Sequence, residues 1–375
     1  MKEFILKQTF DPSKCKIDYQ KELNEEQFKV VTSGNGPCLV LAGAGSGKTR
    51  TITYRVAYLI ESGVAPENIL LVTFTNKAAK EMMSRVEGLL KSNPNGLWGG
   101  TFHSIANRIL RRYASEVGHT SNFTILDQDD TKSLVKVCIK ELEVDTTNRR
   151  FPSAKNVQSM ISYSRNAGKS LKEVVENRYA NFFDIIPTIE RVGELYEARK
   201  RQADSMDFDD LLILLRDLLY KNPVVRDRLA NQFQFILVDE YQDTNVVQAD
   251  IVHQLASAHG NILVVGDDAQ SIYSFRAAEI KNILRFPKQH QETEVYHLTT
   301  NYRSAPEILD VANTSIQQNV NQFKKTLESF CASREKPHLI PASNTFQEAQ
   351  YIAEQILSLR EDGIEMREMA VLFRA

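Results

Sequence analysis

Eight residues, Ala42-Gly43-Ala44-Gly45-Ser46-Gly47-Lys48-Thr49, constrain this chain more than any other feature. They follow a short apolar run, Cys38–Leu41, and precede a segment of helical character. A glycine-dense bend between strand and helix turns backbone N–H groups toward an anion at a helix N-terminus. The phosphate-loop pattern GxxxxGK[ST] is met except at its first position, where Ala42 stands for glycine. The amides of Ala44, Gly45, Ser46 and Gly47 are expected to face phosphate oxygens. Lys48 is expected to reach the β- and γ-phosphates, and the Thr49 hydroxyl to bind Mg²⁺.

A second element has complementary chemistry. Phe235-Ile236-Leu237-Val238 reads as a buried strand ending in Asp239 and Glu240. Ligands of open α/β sheets bind at the carboxyl ends of strands, so both acids fall at the rim. Asp239 suits a Mg²⁺ contact and Glu240 the orientation and deprotonation of an attacking water. Alone, such a pair is an ordinary helix N-cap; beside a phosphate loop it reads as nucleoside triphosphate chemistry.

Short apolar runs at Cys38–Leu41, Ile69–Thr73, Phe235–Val238 and Ile262–Val265 alternate with helical stretches, the pattern of a parallel sheet covered by helices. The expected organisation is α/β: a first nucleotide-binding domain from 1–104 and 201–280, interrupted by a helical insertion at 105–200. A partial second α/β domain is expected over 281–375, with strands at Val295–Leu298, His338–Ile340 and Ala370–Phe373. Helices are expected from Ala305 and across Gln347–Arg360. The basic pairs Arg111–Arg112, Arg149–Arg150 and Lys200–Arg201 read first as solvated helix faces, and otherwise as phosphate-backbone contacts.

At 375 residues the chain has room for two or three domains. Its 46 basic and 48 acidic residues give net charge −2, so any nucleic-acid site must be local. Four scattered cysteines without a CxxC pair argue against a zinc or iron–sulfur site and fit a reducing compartment. No apolar run approaches the ~18 residues of a membrane span.

The acids extend to Asp239-Glu240-Tyr241-Gln242-Asp243. After the next apolar strand comes Gly266-Asp267-Asp268-Ala269-Gln270-Ser271-Ile272-Tyr273-Ser274-Phe275-Arg276, then Thr300-Asn301-Tyr302-Arg303-Ser304. Leu71–Ala79, Thr101–Ser104 and Met206–Leu212 complete a set in order. From about Leu23 to Ala375 the chain resembles the superfamily 1A DNA helicases of the UvrD/Rep type. The resemblance implies RecA-like domains, ATP and Mg²⁺ as cofactors, and 3′ to 5′ movement on single-stranded DNA in repair or replication restart. It implies adenine reading by Gln27, adenine stacking by Tyr302, an arginine finger in Arg303, a γ-phosphate sensor in Gln270 and a further phosphate-side arginine in Arg50. DNA contacts are implied for Phe74, His103, Tyr273, Phe275 and Arg276. Aromatic rings stack on any base, so they suit single strands. Phe275 stands where relatives usually carry tryptophan. Phe208-Asp209-Asp210 either lines the same groove or starts the amphipathic helix through Tyr220.

The partners so implied are single-stranded DNA, its junctions with duplex and repair proteins, for a monomer in the cytoplasm associated with the nucleoid. Two other readings stay open: the motor subunit of a helicase–nuclease complex, and a nucleotide switch acting on a protein partner. Two family motifs normally follow the point where the second half stops. The chain is therefore expected to be an N-terminal portion that hydrolyses ATP slowly alone.

Overall fold

The computed structural model describes residues 15–145 and 151–373, except the Arg276 side chain. In chain order the strands are β1 (Cys38–Ala42), β2 (Ile69–Thr73), β3 (Trp98–Thr101), β4 (Thr124–Ile125), β5 (Ser205–Met206), β6 (Phe235–Val238), β7 (Ile262–Gly266), β8 (Glu294–Leu298), β9 (Thr300–Asn301) and β10 (Glu328–Ser329). Six of them form one parallel sheet in the order β3-β2-β6-β7-β1-β8.

The sheet's apolar runs follow from its two covered faces. Successive side chains of a strand point to opposite sides, so a strand buried on both carries no polar alternation. Leu39 and Leu41 join Leu70, Val72, Ile236, Val238 and Val264 in one core. Cys38, Val40 and Ala42 join Ile69, Leu71, Leu237 and Val265 in the other. The order β6-β7-β1 sets the acidic strand end and the phosphate loop on the same rim, one strand apart.

Strand β3 escaped the sequence reading because two of its four residues are glycine, which weakens any strand signal. Packing explains them. A Cβ on Gly99 would lie 2.3 Å from Met83 Sδ, and one on Gly100 2.3 Å from Ser104 Oγ.

Helix Phe102–Arg112 crosses the expected boundary at 104/105, and its residues from Ile105 on pack with the body rather than the insertion. Ile105, Ala106, Ile109 and Leu110 pack in the same core as Leu39 and Leu41. The insertion's own core runs from Val135 to Tyr196. Its neck is the parallel pair β4–β5, with Thr124 opposite Ser205 and Ile125 opposite Met206.

Lys200 also departs from expectation. It is 1% exposed, not on a solvated face. Its Nζ lies 2.7 Å from Asp207, 2.6 Å from Asp210 and 2.9 Å from Glu197. Arg165 joins them, 2.5 Å from Asp210 and 2.8 Å from Glu197. Burial alone would lower the Lys200 pKa, but the Asp207 and Asp210 carboxylates overcome it and hold it above the usual value. Three carboxylates close enough to hold a metal ion thus enclose an ammonium instead. Arg111 is structural as well, donating to the carbonyls of Ser121 and Phe123 at 2.8 and 2.7 Å. Arg149–Arg150 lie outside the described residues.

The second sheet expected from Val295–Leu298, His338–Ile340 and Ala370–Phe373 does not form from those runs among the described residues; beyond residue 281 the ladder outside the main sheet is the short parallel pair β9–β10. β8 instead extends the first sheet, Cys38 opposite Glu294 and Ala42 opposite Leu298, because Leu298 finds its burial in that sheet's core. His338–Ile340 and Ala370–Phe373 are exposed and carry no strand. A strand needs a ladder partner and a face to bury, and neither run meets one among the described residues. Helices occur where expected, at Pro306–Ile316 and Thr345–Glu361.

Fully buried Leu39 and 92% exposed Leu339 give a contrast that tests this arrangement. Leu39→Ala is expected to cost about 2–5 kcal/mol in denaturant unfolding, and Leu339→Ala no more than about 0.5 kcal/mol.

Candidate nucleotide site and nucleic-acid groove

The phosphate loop turns through two left-handed glycines, Gly45 at φ 73° and Gly47 at φ 86°. Gly47 caps helix Lys48–Glu61, and a Cβ there would also meet Gln27 Nε2 at 2.6 Å. Gln27 is 3% exposed and donates to the Ser46 carbonyl at 3.1 Å, so the residue expected to read the base already touches the loop. Asn24 of the same capping box donates to Tyr302 Oη at 2.7 Å. Arg50 is turned to Glu22, 3.0 Å from its carboxylate, and lies over the Tyr54 ring.

From the opposite side, Asn301 donates to the Ala44 carbonyl at 2.5 Å and Tyr302 N–H to the Gly45 carbonyl at 2.9 Å. The Arg303 Cβ lies 2.7 Å from where a Cβ on Gly45 would sit, and its side chain is exposed. The Tyr302 ring, 41% exposed, rests 5.1 Å from that of Phe330.

Lys48 Nζ lies 3.4 Å from Glu240 Oε2, joining the loop after β1 to the end of β6. Glu240 holds a left-handed backbone at φ 49°, which costs a non-glycine residue on the order of 1–3 kcal/mol. That turn carries Gln242 under the acids. Its Nε2 donates to Glu240 at 2.8 Å, and its Oε1 accepts from the Asp267 amide at 3.0 Å. Gln270 donates to Asp267 Oδ2 at 2.6 Å. The Oδ1 atoms of Asp239 and Asp243 are buried without a hydrogen-bond partner among the described residues. An unsatisfied buried carboxyl oxygen is an atom that a hard divalent cation can take, and Asp239 offers one at the end of β6.

A cavity of about 650 Å³ opens across the body and the insertion. Phe74, His103, Phe208, Asp209 and Phe275 line it, with Tyr163 and Arg178 from the insertion. Tyr273 bridges two of those rings, 5.4 Å from Phe74 and 5.8 Å from Phe275. Phe275 is 61% exposed, and His103 packs edge-on against Phe208. Helix Phe208–Lys221 starts at the Phe208-Asp209-Asp210 run, and Phe208 and Asp209 line the cavity. The Arg276 side chain lies outside the described residues.

The sequence model of the UvrD/REP helicase N-terminal domain matches residues 23–291, and that of the UvrD-like helicase C-terminal domain matches 296–375. The chain belongs to the UvrD/REP helicase family. A Staphylococcus epidermidis protein named ATP-dependent DNA helicase PcrA is 40% identical over 358 residues, 94% of this chain and 48% of its own length. A Staphylococcus aureus protein of that name is 39% identical over 357 residues, again 94% of this chain and 48% of the relative. The chain thus spans about half the length of the curated relatives it matches. Among the described residues no helix is long and apolar enough to cross a membrane.

Within this UvrD/REP-type chain the structure brings Lys48, Asp239, Glu240, Gln27, Tyr302 and the Arg303 Cβ around one loop; Phe74, His103 and Phe275 line one cavity, with Tyr273 against two of their rings. Sequence reasoning assigned no role to Asn24, Gln242 or Asn301. Gln242 and Asn301 lay inside runs it had singled out; only their depth and partners distinguish them. It also missed a relay in which Asn245 donates to Asn166 at 2.8 Å and Asn166 to Asp209 at 2.6 Å.

Burial, reinforced by Glu240, pushes the Asp239 carboxyl up to about 7. Asp243 rises to about 6 for the same two reasons. In the folded chain Asp239 therefore stays protonated where the unfolded chain has lost its proton. Stability contributed by this group falls as pH rises from its usual value near 4 toward about 7. Asp239→Asn is expected to raise the melting temperature of the nucleotide-free protein at neutral pH, and to flatten its decline between those pH values. Thermal scans across that range check it.

Proposed function

We propose that this chain is the ATP-hydrolysing part of a DNA helicase that moves 3′ to 5′ along single-stranded DNA, in repair or replication restart. The observation that carries the reading is the 3.4 Å approach of Lys48 to Glu240, which joins a phosphate loop to a partly unsatisfied acidic strand end beside an aromatic-lined cavity. The relatives' printed name, ATP-dependent DNA helicase, supports it.

In this reading ATP lies on the amides of Ala44, Gly45, Ser46 and Gly47, with Lys48 against its β- and γ-phosphates. Its base meets Gln27 and the Tyr302 ring. Thr49 and Asp239 hold Mg²⁺, which supplies charge neutralisation at the phosphates. Lys48 and Glu240 part as phosphate enters between them, freeing the Glu240 carboxylate to orient and deprotonate water. Arg303, on the strap beside Gly45, swings its guanidinium to the γ-phosphate and stabilises charge in the transition state. Gln270 senses that phosphate. Through Asp267 and Gln242 it communicates with the acids, and its own loop carries Tyr273 and Phe275 into the groove. Bases stack on those rings and on Phe74, gripped and released as the loop moves.

None of residues 332–373 is buried, and helix Thr345–Glu361 packs nothing inside. Closure of this part over ATP is therefore poorly supported within the chain, and its unaided turnover is slow.

Lys48→Ala is expected to abolish nucleotide binding and leave oligonucleotide binding intact. Glu240→Gln is expected to bind ATP normally and lose at least about 100-fold in turnover. Affinity for a single-stranded oligonucleotide should fall steeply with salt, whereas a nucleotide switch for protein partners would ignore the oligonucleotide. Normal hydrolysis by Glu240→Gln would remove the assignment of the base.

A further inference from the structure

Residues 323–330 form a strap between two parts of the candidate site. At one end the Phe323 amide donates to Asp268 Oδ2 at 2.8 Å. Lys325 Nζ sits between two carboxylates, 2.6 Å from Asp267 Oδ1 and 2.5 Å from Asp268 Oδ1. Further along, the Asn313 carboxamide holds both backbone groups of Leu327, at 3.1 and 3.0 Å. The Leu327 side chain lies against Gly43, its Cδ2 2.3 Å from where a Cβ there would be. The strap then closes with β9, Phe330 N–H donating to the Asn301 carbonyl at 2.8 Å.

The charges at the first end are almost wholly removed from water. The Lys325 side chain is 8% exposed, Asp267 4% and Asp268 fully buried. Two neighbouring buried carboxylates repel, and a buried charge persists only when paired. Among the described residues Lys325 is the one cation in an ion pair with either. Asp267 is also shared: its Oδ1 takes the Ala269 amide at 3.1 Å and its Oδ2 the Gln270 carboxamide at 2.6 Å. A continuous path of contacts thus leads from the strap, through one carboxylate, to the residue read above as the phosphate sensor.

We propose that Lys325 is a positioning residue for ATP hydrolysis: by neutralising Asp267 and Asp268 it fixes the loop that carries Gln270 and ties that loop to the strap seated on the phosphate loop. This rests on the ATPase reading given above. Lys325 does not touch the nucleotide in this arrangement. Its loss is felt in the chemical step and in the response to DNA, not in binding.

The test measures ATP turnover by this chain under single-turnover and steady-state conditions, with and without a single-stranded oligonucleotide, alongside equilibrium binding of a fluorescent ATP analogue. Lys325→Ala is expected to lower kcat at least about tenfold, with KM and analogue affinity within about threefold, and to lose oligonucleotide stimulation. Lys325→Arg, which keeps the charge, is expected to retain most of the wild-type rate. Hydrogen exchange should quicken at 267–276 in Lys325→Ala while β1 stays protected. If Lys325→Ala does not fold, Lys325→Gln, which keeps a donor but not the charge, is read by the same measurements with the same expectation. Wild-type kcat and DNA response in the neutral variant, or loss of nucleotide affinity equal to the loss of rate, overturns the proposal. So does an arginine variant as impaired as the alanine. Lys48→Ala separates the two levels. If the unmodified chain turns over ATP and Lys48→Ala does not, an unaffected Lys325→Ala refutes the positioning role alone. If the unmodified chain neither binds nor hydrolyses ATP, the ATPase reading fails and the proposal with it.

Discussion

The meeting of Lys48 with the carboxylates that close β6 is the contact on which the rest of the molecule depends. It exists because β7 alone separates β6 from β1, so two loops nearly 200 residues apart in sequence share one rim. Every other part of the candidate site is referred to that rim. Gln27 braces the loop from one side, and Asn301 and Tyr302 close on it from the other. Gln242 carries the position of the acids to the sensor loop. The site is stressed in the nucleotide-free state: a left-handed glutamate, an unsatisfied buried aspartate oxygen and a protonated Asp239 all cost stability.

The aromatic groove depends on a different kind of support. One wall comes from the body and the other from the insertion, and they are held together by the Lys200–Arg165 network and the asparagine relay. Buried ion pairs contribute little net stability, but they tolerate only one arrangement of partners. That property fixes the spacing of the two walls. Burial, and then the charge of Asp207, pushes the Asp209 carboxyl up to about 6.

Much of this was legible in the chain itself, for physical reasons that differ by element. Strands buried on both faces are continuous apolar runs, so β1, β2, β6 and β7 stood out with nearly their observed bounds. β3 did not, because its glycines answer to Met83 and Ser104, contacts invisible to local pattern. Val295–Leu298 was recognisable as a strand, but its sheet was not, since pairing is decided by which edge is free. His338–Ile340 and Ala370–Phe373 have strand-forming residues without strand partners. Lys200 read as a surface charge, and Lys325 drew no reading, because charge alone does not reveal that acids from another segment will enclose it.

By itself the sequence determined the chemistry at the strand ends: glycines where only a left-handed backbone passes, a lysine and a threonine behind them, and acids where a buried run stops. Those are local requirements, met by residues next to one another. Tertiary structure decided everything that depends on distant segments meeting. It chose the sheet that received β8, the insertion's true neck, and the burial of Lys200 and Lys325 between carboxylates. It also chose the glutamine and asparagines that bind one loop to the next. Hydrogen bonds and ion pairs across such distances have no sequence period, so they become visible only once the chain has closed.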